Sequence, residues 1–204
     1  MKLKKVLLIT LLLATSSVAM AQDYKKEIEK EFKEYLNALF SKDFEKSMNY
    51  LTPEVFKIIP KAQMIKIMEQ TFNEPSIEFE LKDAKIIEIQ NSEKIENKFY
   101  SFLSYSNLMR IKFKSERNET TEEKKMKNNL GKLSFEKTFG VQNVKYDDKT
   151  EFFEIYVEKP VYAISDNGKN DWKFIVVEKK QKSFLETLLP KKLIEKVFQS
   201  SQYN

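Results

Sequence analysis

No cysteine and no histidine occur in this chain of 204 residues, and glycine appears only at Gly131, Gly140 and Gly168. Each absence removes a class of chemistry. Without imidazole there is no side chain that ordinarily changes charge near neutral pH, and no catalytic triad of the usual kind. Without thiolate there is no cysteine nucleophile, no conventional zinc site, no disulfide and no lipoprotein anchor on a cysteine. Three scattered glycines cannot build a G-x-G-x-x-G or P-loop phosphate cradle. Carboxylate, lysine, tyrosine and arginine chemistry is what remains, and no cofactor is expected.

Long hydrophobic runs are scarce as well. Val6–Ala14 is preceded by Lys2, Lys4 and Lys5 and followed by Thr15-Ser16-Ser17 and Ala19-Met20-Ala21. At about nine residues the run is under half of the ~20 needed to cross a bilayer. A basic start, a short apolar stretch and an A-x-A site describe a secretory signal peptide, Met1–Ala21, cleaved between Ala21 and Gln22. The expected mature chain is periplasmic or secreted and keeps no stable membrane anchor. Removing three lysines takes 36 basic residues to 33 against 31 acidic, so the net charge falls from +5 to +2. A surface of mixed Lys and Glu favours solubility and speaks against nucleic acid as a partner. The expectation is one domain over residues 22–204, long enough for its own core.

The clearest pattern present is a hairpin. Phe152–Ser165 and Trp172–Lys179 alternate aromatic and β-branched residues and flank the turn Asp166–Asp171, the form of two antiparallel strands. The N-terminal half reads as helical. Asp23–Phe40 sets Ile28, Phe32, Tyr35, Leu36, Leu39 and Phe40 on one face. Asp43 is placed to cap a short helix carrying Phe44 and Met48, and Thr52-Pro53 marks another start. Pro60 opens a helix through Met64, Ile65, Met68 and Phe72. Strands are expected at Ser76–Leu81, Ala84–Gln90 and Phe99–Lys114. An insertion, 115–139, holds an amphipathic helix near Thr121–Phe139, with Thr121 as N-cap and Met126, Leu130 and Leu133 as its apolar stripe. Gln181–Phe198 reads as a C-terminal helix that kinks or restarts at Pro190.

Helices followed by long antiparallel strands define an α+β fold: helices on a curved antiparallel sheet. The order resembles the NTF2-like (cystatin-like α+β barrel) superfamily. The resemblance rests on Phe32–Phe40, Lys42-Asp43-Phe44, Leu51-Thr52-Pro53-Glu54 and the strand Trp172-Lys173-Phe174-Ile175, and spans Tyr24–Lys179. It implies a cone-shaped sheet wrapped round a helix, with or without a ligand cavity. Enzymes of that superfamily place acidic and tyrosine residues inside the cone. Candidate residues here are Tyr105, Arg110, Glu154, Tyr156, Tyr162, Trp172 and Glu178. Tyr105, Tyr156, Tyr162 and Trp172 would line a ligand cavity; Glu154 or Glu178 with a tyrosine would supply an acid–base pair. Each also reads as a core aromatic or a polar residue on the sheet surface. The acidic turns Asp147-Asp148 and Asp166–Asp171 read as turn chemistry rather than a metal site.

Three functions are therefore open at this stage. One is a non-enzymatic domain binding a small apolar ligand or a protein partner. Another is an isomerase- or hydrolase-like enzyme with a Glu/Tyr pair. The last is a homodimeric scaffold joined through an open sheet face.

Overall fold

The structure is a computed structural model and describes residues 23–199. The expected signal peptide with its Ala21/Gln22 cleavage site, and the tail 200–204, lie outside the described residues. The described residues form an α+β fold, with seven helices and an open antiparallel sheet of six strands among them.

The helices come first: α1 (23–40), α2 (Phe44–Met48), α3 (Pro53–Ile58) and α4 (Lys61–Phe72). Asp43 caps α2 as its chemistry predicts, its carboxylate accepting from the Lys46 amide at 3.1 Å. Thr52 occupies the N-cap of α3 without capping it, because its hydroxyl is taken by the Glu54 carboxylate.

The strands are β1 (Ile77–Ile89), β2 (Glu93–Ile95), β3 (Lys98–Phe113), β4 (Val144–Asp147), β5 (Phe152–Ser165) and β6 (Lys173–Val176), in the order β1-β3-β5-β4. β2 adds to β3, and β6 to β5. Two expected strands, Ser76–Leu81 and Ala84–Gln90, are one strand. It continues through a left-handed Asp83 (φ 53°) and two register shifts against β3. Those shifts set Ile86 opposite Tyr105 and Ile89 opposite Leu103, so two isoleucines three apart reach the same face. A bulge is how a period-two strand achieves that. The β2–β3 hairpin has no glycine in its turn to signal it in the sequence: Glu96 itself adopts φ 54°. The expected second hairpin strand, Trp172–Lys179, shortens to β6. The Trp172 and Asp171 amides leave the ladder to donate to the Glu31 carboxylate on α1, at 2.5 and 3.0 Å. Gly168 is required in the turn, with φ 69° and the Phe99 ring 2.7 Å from where a Cβ would sit.

The long central strands divide by parity into two faces. On the face of the odd-numbered β3 and β5 residues, Ile28, Phe32, Tyr35 and Leu36 of α1 pack on Leu103, Tyr105, Val161 and Ala163, joined by Trp172 and Phe174 because pairing sets Phe174 opposite Ala163. Further along that face, α5 (Thr121–Phe139) brings Phe135 and Phe139 onto Ile111, Val144, Phe153 and Ile155. On the even-numbered face, one end carries Tyr100, Tyr162, Ile164 and Ile175 beneath Leu185, Leu189, Leu193 and Val197. Those leucines come from α6 (Lys182–Leu188), the connecting Leu189, and α7 (Lys191–Gln199). The expected C-terminal helix does restart, with Pro190 between its halves. Burying both faces at that end removes the polar alternation a half-solvated strand would show.

Candidate functional site

The seven residues singled out from the sequence do not converge. Tyr105 and Trp172 are buried in the α1 core, and Tyr162 is buried beneath α6 and α7. Tyr156 stands exposed on β5, its hydroxyl donating to Glu158 at 2.9 Å. Tyr105 and Tyr162 therefore belong to opposite faces of the same sheet. The volume between α1 and the sheet is occupied by rings: Phe32 lies 5.1 Å from Tyr105 and 4.9 Å from Phe174, edge to face.

Glu154 lies in a charge ladder across three strands. Glu80, Arg110 and Glu154 are register partners on β1, β3 and β5. The Arg110 guanidinium lies 2.6 Å from Glu80 and 3.3 Å from Glu154, over the Phe152 ring at 4.1 Å. This uncovered end of the even-numbered face is a lattice of opposite charges on an aromatic floor. Pairing Glu154 with a guanidinium leaves its carboxylate as a partner for Arg110.

Glu178 is ion-paired with Lys159, the register partner of Tyr105. The Glu178 charge also reaches Tyr105. Burial first, then Tyr35 and the Glu178 charge, push the Tyr105 phenol far above its ordinary value of 10.0. Its hydroxyl stays protonated at any physiological pH, and can donate a hydrogen bond but not serve as a base. Tyr35, buried beside it, is pushed up to about 12 by burial.

In each acidic turn one side chain ties down the turn's own backbone. Asp147 accepts from the Lys149 amide at 2.9 Å and the Thr150 hydroxyl at 2.7 Å. Asn167 accepts from the Lys169 and Asn170 amides at 2.7 and 3.1 Å.

The feature that stands out is α5. Its start is fixed by a capping box: Thr120 takes the Glu123 amide at 3.2 Å, and Glu123 returns a carboxylate to the Thr120 amide at 2.8 Å. The N-cap is thus Thr120, one residue before the expected Thr121. Its inner face is set by Asn128, which donates to the Tyr146 hydroxyl at 2.9 Å, and by Gly131, which sits against Phe113. Between α5 and the turn after β4 lies a groove of about 780 Å³, lined among others by Lys124, Asn128, Tyr146 and Glu151. Two of its charged side chains, Lys124 and Glu151, are paired with each other. Glu151 bridges Lys124 and Lys112, which hold its carboxyl below the usual range.

The expected apolar stripe of α5 points the other way. Met126, Leu130 and Leu133 are 57%, 62% and 63% exposed, and no residue of α5 is fully buried. The helix carries two apolar sides, Phe135 and Phe139 inward and the methionine–leucine stripe outward. Periodicity finds both but does not rank them. Comparison with known proteins adds no relative: no family model, curated protein or solved structure matches this chain.

Proposed function

We propose that this chain is an exported, non-catalytic interaction domain that engages a protein partner through the outer side of α5. The observation that carries it is the solvent-facing run Met126, Leu130, Leu133 on a well-capped, 19-residue helix. Adjacent exposed apolar side chains on an ordered helix are a common way to present an interface. Two observations weigh against the other readings. The aromatic packing under α1 leaves Tyr105 and Trp172 as core residues rather than cavity walls. Glu154 and Glu178 are each held by a cation rather than by a tyrosine hydroxyl. The NTF2-like resemblance is supported by the placement of α1 against the long antiparallel strands, and export by the sequence features of Met1–Ala21.

Site-specific photo-crosslinking tests the interaction surface. Benzoylphenylalanine at Met126 or Leu130, in cells exporting the full chain, should form covalent polypeptide adducts. The same group at Lys169, in the exposed hairpin turn, should form few. Equal or absent adducts at all three positions would overturn the proposal.

A further inference from the structure

Resting on that reading, we infer that the partner is a second copy of this chain, docked antiparallel through α5. The helix is self-complementary about a point midway between Asn129 and Leu130. Reversed on itself there, Met126 falls opposite the partner copy's Leu133, and Leu130 lies beside the two-fold axis. Glu122, in the first turn, then meets Lys137, in the last turn. An isologous interface requires this reciprocity, with each contact made twice.

All five residues lie on one side. At 100° per residue, Glu122, Met126, Leu130, Leu133 and Lys137 span about 80° of the helix circumference. Asn128, Gly131 and Phe135, which face the sheet, lie opposite them. Neither Glu122 nor Lys137 has an ion pair among the described residues, although both are exposed. Docking would supply each with an opposite charge at the rim of an apolar strip. One like-charge pair also falls at the flank, Glu123 against Glu136. Glu123 is committed to the capping box and Glu136 lies 3.8 Å from Lys132, which offset that cost.

The strip between Glu122 and Lys137 is about 22 Å long, so the interface falls at the small end of specific interfaces. A concentration-dependent dimer is expected between about 1 µM and 1 mM, not a permanent one.

Cysteine trapping suits this chain, which has no native thiol. Purified Met126→Cys and Leu133→Cys variants, mixed and oxidised, should give a mixed disulfide in preference to either homodimer. In the antiparallel register two copies of Met126 are about 10 Å apart along the axis, beyond the ~7 Å limit for a disulfide. Sedimentation of the native chain over the same concentrations should show a dimer. Lys137→Glu should weaken it about three- to tenfold, and Glu122→Lys/Lys137→Glu should restore it. A chain that stays monomeric at about 1 mM with no mixed disulfide overturns the self-pairing. A dominant Met126→Cys homodimer overturns the antiparallel register. Photo-adducts of foreign mass in exporting cells, with the purified chain monomeric, would retain the interaction surface and refute the second copy as its occupant.

Discussion

Replacing Gly131 with alanine sets two effects of known size against each other. In an exposed helix interior the change stabilises by about 1 kcal/mol, because glycine costs that much backbone entropy relative to alanine. In this fold the new methyl would meet the Phe113 ring, with its Cζ 2.7 Å away. Ordinary carbon–carbon contact is about 3.5–4.0 Å, so the ring must withdraw by ~1 Å. A free phenylalanine would do so cheaply. Phe113 is held, with its centroid 6.1 Å from stacked Phe135 and 5.7 Å from Phe153. Overpacking of this kind costs about 1–3 kcal/mol, more than the propensity gain. Gly131→Ala should therefore destabilise by about 1 kcal/mol net, read as a lower urea midpoint at unchanged slope. Leu130→Ala, one residue away but outward, should change stability by no more than about 0.5 kcal/mol. A more stable Gly131→Ala, or a Leu130→Ala loss of about 2 kcal/mol or more, would mean that α5 packs by its other side.

Two further outcomes are expected. Lys98 first, and then the Thr52 hydroxyl, hold the Glu54 carboxyl at about 2, down from 4.5. A lowered carboxylate contributes stability that is complete above about 4.5 and fades as pH falls toward about 2. The side chain is 37% exposed, so screening leaves about 1 kcal/mol at most. Acid melts should show the wild type losing that advantage over Glu54→Gln between pH 5 and 2, and an advantage unchanged across that window would contradict the pairing. The Trp172 indole N–H is fully buried without an acceptor among the described residues. An unmet buried donor costs about 1–3 kcal/mol, so Trp172→Phe should lose under about 1.5 kcal/mol, whereas Trp172→Ala loses about 3–5. Equal losses in thermal denaturation would show that the indole nitrogen does have a partner.

The secondary structure was legible wherever one local rule dominated. The α1 stripe, the Asp43 cap, the span of α5 and the strand Phe152–Ser165 all follow from periodicity or capping chemistry within a few residues. The local pattern fails where non-local contacts override it. Asp83 and the register shifts that join two segments into β1 exist to bring Ile86 and Ile89 onto the α1 core. Trp172 leaves β6 because a carboxylate from residue 31 accepts its amide.

The site divides the same way. By its lack of histidine, cysteine and clustered glycine, the sequence alone excluded whole classes of chemistry, since composition needs no geometry. It also placed an amphipathic helix at 121–139. Which side of that helix meets the sheet was a tertiary decision. Two apolar stripes compete on α5, and the winner is the one whose Asn128, Gly131 and Phe135 fit Tyr146, Phe113 and Phe153. Shape and hydrogen bonding across the contact selected the inner side, because hydrophobicity is nearly matched between the two. Met126, Leu130 and Leu133 were thereby left in solvent.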